Sequence, residues 1–230
     1  MNLTKNRRPP FQASVGALKL YDYAASGNCY KVRLLLAQLG LDYERVPVDI
    51  FAGDTLTDEY AAKNPLRTTP VLETEDGYLP ESNAILLYLA EGTSLLPGTA
   101  FERAQVLRWL IYEQTDVIPT MGGLRFRLLT GRLAAEDEDA VRRRHGADEV
   151  LELLDEHLAT GEFFVGGEYT VADIGLYGYV HVAAEAGLDL TRHEHVCAWL
   201  ARVAGQPGYM NDLEPYPPNA ATGVGRSLYD

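Results

Sequence analysis

Cysteine is nearly missing from this chain: Cys29 and Cys197 are the two in 230 residues. Two cysteines cannot build a disulfide framework, so a reducing compartment, the cytoplasm, is expected. Long apolar runs are missing too. No stretch reaches the roughly 20 residues that would cross a bilayer, and MNLTKNRRPPFQASVG puts no apolar block after its basic residues, as a secretory signal would. Positive charge is also in short supply. Twenty Lys and Arg against 33 Asp and Glu leave a net charge of −13, which argues against nucleic acid or an anionic membrane as the main partner. The basic run Arg142-Arg143-Arg144 is flanked by acids and fits a solvated helix face. The five histidines show no metal-ligand spacing beyond His193-x-His195, so no metal is expected. The remainder, 47% apolar and 23% charged, is ordinary for a soluble globular chain, long enough for one large domain or two small ones.

Residues 1–16 are polar, hold Pro9-Pro10 and lack periodicity, so a flexible arm is expected there. From Leu18 the pattern alternates. Leu18-Lys19-Leu20-Tyr21 predicts a strand, Lys31 to Leu39 a helix closed by Gly40, Tyr43 to Val48 a second strand, and Leu56 to Lys63 a short helix stopped by Asn64-Pro65. Two short strands and a helix carry the chain to Glu91. Residues 17–91 thus form one α/β domain, 92–98 a linker, 99–210 an all-helical domain and 211–230 a Pro/Gly-rich tail. Thr99 with Glu102 looks like a capping box for a long helix that Pro119 should end or kink. Another helix is expected from Asp137 to Leu158 and a last one from Val196 to Ala204. Thr170-Val171-Ala172-Asp173 is the clearest helix start, with Tyr169 and Ile174 placed as a hydrophobic staple, and Asp173 is read as structural.

The stretch NPLRTTPVLETEDGYLPESNAILLYL, from Asn64 to Leu89, bears most directly on function. A proline leads its first strand, a place that tolerates the missing N–H. A cis Thr69-Pro70 bond would turn the Thr69 backbone outward, where an extended peptide could pair with it. Glu81 and Ser82 open a helix, where free N–H groups and the dipole favour an anion. Together with the β-α-β-α-β-β-α order and the Thr170–Asp173 cap, this stretch resembles the cytosolic glutathione transferases over roughly residues 17–210. The resemblance implies a thioredoxin-like domain followed by an all-α domain, a homodimer, and glutathione as co-substrate with no metal. Thr69 and Pro70 would hold the tripeptide's cysteinyl backbone, Glu81 and Ser82 its γ-glutamyl end, and Arg67 its glycine carboxylate.

Glutathione chemistry needs a thiolate, and a thiol with a pKa of about 8.5 is mostly protonated at neutral pH. Lowering that pKa by about two units favours the anion by roughly 2.7 kcal/mol. A hydroxyl at a helix start can do this through one hydrogen bond and the dipole. Ala25-Ser26-Gly27-Asn28-Cys29-Tyr30 closes the first strand and opens the first helix, so the thiolate belongs there. Three neighbours compete for the catalytic role. Ser26 comes first and resembles the hydroxyl of the serine-type classes. Asn28 falls where disulfide-reducing bacterial relatives place a helping asparagine. Cys29 lies near the cysteine of the beta class, but can also turn inward as a small hydrophobe. Tyr21 and Tyr23 are out of register for the tyrosine-type role and are set aside.

The acceptor should sit between the domains, with Tyr112, Met121, Arg125 and Phe126 as candidates; a Met or aromatic at helical spacing is more often core. The expected activity is a glutathione S-transferase reaction of the detoxification kind, attack of the thiolate on a small electrophile. Two alternatives stay open: a glutathione-dependent disulfide oxidoreductase using Asn28, and a binding or regulatory module that has lost catalysis.

Overall fold

Alternating Leu18 and Leu20 with Lys19 and Tyr21 makes a strand with one apolar face, and β1 (Leu18–Asp22) buries Leu18, Leu20 and Asp22. The computed structural model begins there and describes residues 18–229. The N-terminal arm expected over residues 1–16 lies outside the described residues. β1 pairs in parallel with β2 (Tyr43–Pro47) and antiparallel with β3 (Val71–Thr74), which pairs antiparallel with β4 (Gly77–Pro80), giving the order β2-β1-β3-β4. A parallel pair needs a crossover, and α1 (Gly27–Leu39) provides it. Val32, Leu34, Leu35 and Leu36 are all fully buried. An apolar surface this wide fits a helix covered on more than one side, and α1 packs on both α3 (Ser82–Ala90) and α7 (Val171–Val180). The short helix α2 (Asp58–Lys63) is capped by Thr57, whose Oγ accepts the Tyr60 N–H at 3.2 Å.

The helical half starts where Thr99 accepts the Glu102 N–H, opening α4 (Ala100–Tyr112). The helix does not end at Pro119. Residues Glu113–Gly122 instead widen into π-helical turns that carry the proline through to α5 (Gly123–Leu129). Wider turns move the carbonyl that the ring would strike, so the helical run continues past the proline. α6 (Glu138–Leu158) packs on residues 113–122 and on α8 (Glu194–Ala204), and α7, every residue of which is buried, is covered by α1, α4 and residues 113–122. The capping box before α7 is present: Thr170 Oγ accepts the Ala172 N–H, and Asp173 accepts the Thr170 N–H at 2.9 Å. Asp173 also takes the Phe164 N–H at 3.2 Å and the Trp199 Nε1–H at 3.0 Å. Among the described residues no helix is long and apolar enough to cross a membrane.

A buried ion pair ties the halves together, and a second, partly exposed charge cluster ties the α/β domain to the chain after α8. Lys31 Nζ on α1 lies 2.9 Å from Glu113 Oε1, both side chains fully buried, and Asn83 and Gln114 donate to Glu113 Oε2. Arg33 bonds Asp22 at 2.5 Å and grips both oxygens of Asp212 at 2.9 Å, while Arg45 holds the other Asp22 oxygen. Asp212 belongs to the segment after α8, which turns back across the α/β domain. There the Glu214 N–H donates to Ala24, Asn219 to Asp49, and the Arg226 N–H to Phe51. The same segment meets the helical domain where the Thr222 N–H donates to Thr130 and Arg132 donates to Ala220.

Candidate active site between the domains

The start of α1 faces the start of α3, and both open on a cavity of about 350 Å³. Its α/β wall carries Ser26, Asn28, Thr69, Pro70, Glu81 and Ser82. The sequence therefore places six of its candidate residues around one space.

Ser26 is the N-cap of α1, extended at φ −84°, and its Oγ accepts the Cys29 N–H at 3.3 Å. Accepting that bond leaves the hydroxyl proton free to donate outward, next to the free N–H groups of the first turn. Asn28 lies across from Ser82, whose hydroxyl donates to Asn28 Oδ1 at 3.2 Å, so the two helix starts are linked. Glu81 precedes α3 with φ +74°, a conformation a non-glycine residue holds only when its surroundings demand it, and such residues gather at ligand sites. Its carboxylate makes no cap hydrogen bond, whereas Ser82 is buried at the first helical position. The Thr69-Pro70 bond is cis. The turn before it is braced from behind, since Tyr60 Oη and Asn64 Nδ2 both donate to the Thr68 carbonyl at 2.9 Å.

Cys29 does not line the cavity. It is fully buried, its Sγ accepts the Tyr23 N–H at 3.4 Å, and burial, aided by the Asp22 charge, pushes its thiol up to about 12. A thiol in that setting stays protonated and reacts slowly. Arg67 is also turned away. At φ +56° it directs its guanidinium onto the Thr55 and Thr57 carbonyls and toward Asp58.

The helical wall brings Gln114, Ile118, Gly122, Phe126, Arg127 and Tyr179 to the cavity. Of the four residues expected on the acceptor side, Phe126 lines it. Met121 is buried in the core, Tyr112 packs edge-on against Trp109, and Arg125 is buried with Glu185 at 2.6 Å and the Ala25 carbonyl at 3.2 Å. The wide turns shift residues 113–122 off α-helical phase, so α-helical spacing does not report the direction of Met121, while Tyr112 and Arg125 are drawn off by their partners Trp109 and Glu185. Tyr179 is seated by two close approaches. A Cβ on Gly27 would lie 2.7 Å from the Gly178 carbonyl and 2.8 Å from the Tyr179 ring, and one on Gly122 would meet that ring at 2.8 Å. Only glycine lets α1, α7 and the π-helical segment converge here.

Of the lining tyrosines, Tyr23 is the one the sequence sets aside as out of register, and Tyr216 and Tyr229 carry no signal in it. Tyr23 lies just past the end of β1, where strand alternation no longer assigns a face; it is buried, and its hydroxyl has no hydrogen-bond partner among the described residues. Tyr216 and Tyr229 come from the returning segment and roof the space, with ring centroids 5.6 and 5.2 Å from Phe126. A Pro/Gly-rich sequence gives no periodicity from which such placement could be read. Among the described residues no group of three or more His, Cys, Asp or Glu is placed to hold a metal.

Comparison with known proteins follows the same division. Residues 20–95 match the family model "Glutathione S-transferase, N-terminal domain" and residues 114–207 the model "Glutathione S-transferase, C-terminal domain". The chain is 34% identical to glutathione S-transferase 3 of Zea mays, over 87% of this chain and 96% of that protein. It is 35% identical to maleylacetoacetate isomerase of Rhizobium meliloti, over 81% of this chain and 91% of that protein. A glutathione S-transferase crystal structure from Pseudomonas fluorescens superposes with a TM-score of 0.83 at 42% identity, covering 86% of this chain and 99% of that one. With matching domains in matching order around a cavity at their junction, this chain belongs to the glutathione S-transferase family.

Proposed function

We propose that the protein is a glutathione transferase in which Ser26 activates the thiol of bound glutathione for attack on a small electrophile. The observation that carries this is the Ser26 hydroxyl at the α1 start: it already accepts a backbone N–H, keeps its own proton for a thiolate, and faces the same cavity as Thr69, Glu81 and Ser82. The Thr69 edge takes the cysteinyl backbone, the Ser82 helix start the γ-glutamyl carboxylate, and Glu81 the neighbouring ammonium. The thiol proton goes to solvent. The thiolate sulfur then bonds the electrophilic carbon, and where that carbon bears a halide, its bond to carbon breaks and halide ion leaves.

Ser26→Ala should raise the kinetic pKa of bound glutathione by about one unit, or roughly 1.4 kcal/mol. Cys29→Ala should leave turnover nearly unchanged, because that thiol is buried and held protonated. An unmoved pH–rate profile in Ser26→Ala would overturn the assignment. Disulfide reduction is the second activity to test, because Asn28 lines the cavity with its Oδ1 already engaged by Ser82, leaving its amide N–H groups to donate. In that case Asn28→Ala should impair reduction of hydroxyethyl disulfide more than it impairs conjugation. A cytoplasmic homodimer acting in detoxification accords with the family. Leu107 and Ile111, exposed one turn apart on α4, support self-association, which light scattering tests.

A further inference from the structure

The cavity has two walls of different character. On the α/β side the groups suited to glutathione cluster at Ser26, Thr69 and Ser82, and no Lys, Arg or His of that domain is among the lining residues. Arg127, on α5 in the helical domain, is the one cation among them. Its hydrogen bond goes to a neutral group, from Nη1 to the Gly123 carbonyl at 3.1 Å, and no carboxylate among the described residues stands within ion-pair distance. The arginines around it are engaged: Arg125 with Glu185, Arg143 with Asp139, and Arg132 over the Phe51 and Phe126 rings.

Two further observations make this a place for a ligand. Gly123 also lines the cavity, and a Cβ there would lie 3.0 Å from Arg127 Nη1, so the guanidinium packs close against the bare backbone of the wall. Partial burial and the charges of Arg143 and Arg132 work against the Arg127 cation, with Asp139 only partly offsetting them. An anion arriving here would meet a guanidinium without an ion-pair partner, since Asp139, the acid that acts on it, is paired with Arg142 and Arg143. The rings of Phe126, Tyr216 and Tyr229 line the same cavity as Arg127 and give it aromatic surface for a flat group.

We infer that Arg127 binds a carboxylate of the acceptor, so that the preferred electrophile is a flat aromatic or conjugated acid held by its charge at α5. The inference rests on the transferase function proposed above, and a pair of matched ligands separates the two. 3-Nitrobenzoate and 3-nitrobenzamide, which differ in charge and cannot react, are titrated into the glutathione-loaded protein by calorimetry. 4-Chloro-3-nitrobenzoate and its amide are assayed for conjugation. The wild type should bind the acid roughly tenfold more tightly than the amide, a preference that salt weakens. Arg127→Gln should erase the preference while leaving amide and glutathione affinities within about twofold, and Arg127→Lys should restore part of it. Equal binding of acid and amide by the wild type would overturn the inference. So would a loss of glutathione affinity in Arg127→Gln with the acid-to-amide ratio unmoved, which would assign Arg127 to the glycine carboxylate of glutathione. Acid-selective binding without any conjugation would leave the Arg127 site standing and remove the transferase function. Conjugation of both substrates at equal kcat/KM, without selective binding, would do the reverse.

Discussion

Replacing Asp173 by alanine tests how the helical domain is held together. The carboxylate is fully buried and accepts three N–H groups, from Thr170 at 2.9 Å, Phe164 at 3.2 Å and Trp199 at 3.0 Å. Truncation strands all three in the interior. At about 1–3 kcal/mol for each buried donor left unsatisfied, the gross loss is roughly 3–9 kcal/mol. Against this stands the burden of the buried charge itself. Burial raises the Asp173 pKa from 3.8 to about 6. A folded-state pKa above the unfolded one means that protonation favours the folded state. That gain is complete below pH 4 and is lost as pH rises through 6, so at neutral pH the buried charge costs about 3 kcal/mol, which alanine relieves. The net penalty at pH 7 should be about 3 kcal/mol. At pH 5 it should be larger by about 1 kcal/mol, because the wild type has by then regained part of its stability. Urea denaturation at both pH values measures this, with Asp173→Asn as the neutral control that should flatten the pH dependence. Turnover per folded molecule should stay near that of the wild type. A penalty below about 1 kcal/mol, or one that does not grow on acidification, would show that the three donors are satisfied in some other way.

The Lys31–Glu113 pair gives a second test. Lys31→Met leaves Glu113 buried without its cation and should cost about 3–5 kcal/mol by denaturation, whereas Lys31→Met with Glu113→Gln should recover most of the loss. A double variant as unstable as the single one would count against the pair as the cause. Thiol titration is a third: native protein should react with one equivalent of an aromatic disulfide reagent, at exposed Cys197, and the buried Cys29 should react only after unfolding. Labelling of Cys29 first, identified by peptide mass, would return it to the list of catalytic candidates.

The α/β half was legible because its signals are local. Alternation at Leu18–Tyr21, glycine after Leu39 and proline before Val71 each fix the backbone within a few residues, and the strands and helices follow in that order. The Thr170–Asp173 box is equally local, but its weight is not: that Phe164 and Trp199 also bond Asp173 depends on how distant segments meet. The same limit governs the site. Ser26, Thr69, Glu81 and Ser82 stand where turns and helix starts put them. The positions of Arg67 and Cys29 were decided by φ +56° at one and by complete burial at the other, and neither is encoded in spacing. Beyond Pro119 the phase of the helix depends on the π-helical turns, so residue intervals stopped reporting direction.

The returning segment bears on the order in which this cavity can be completed on the ribosome. Its contacts close very long loops: Arg33 to Asp212 spans 179 residues and Asn219 to Asp49 spans 170. The α/β domain can form as soon as it emerges, and the helical domain can dock on it with Lys31 and Glu113 already paired. The roof cannot, since Tyr216 and Tyr229 leave the ribosomal tunnel after everything they cover. A nascent chain would thus pass through a stage in which the cavity has its α/β and helical walls but lacks Tyr216 and Tyr229. The aromatic roof is the last wall of the cavity to form.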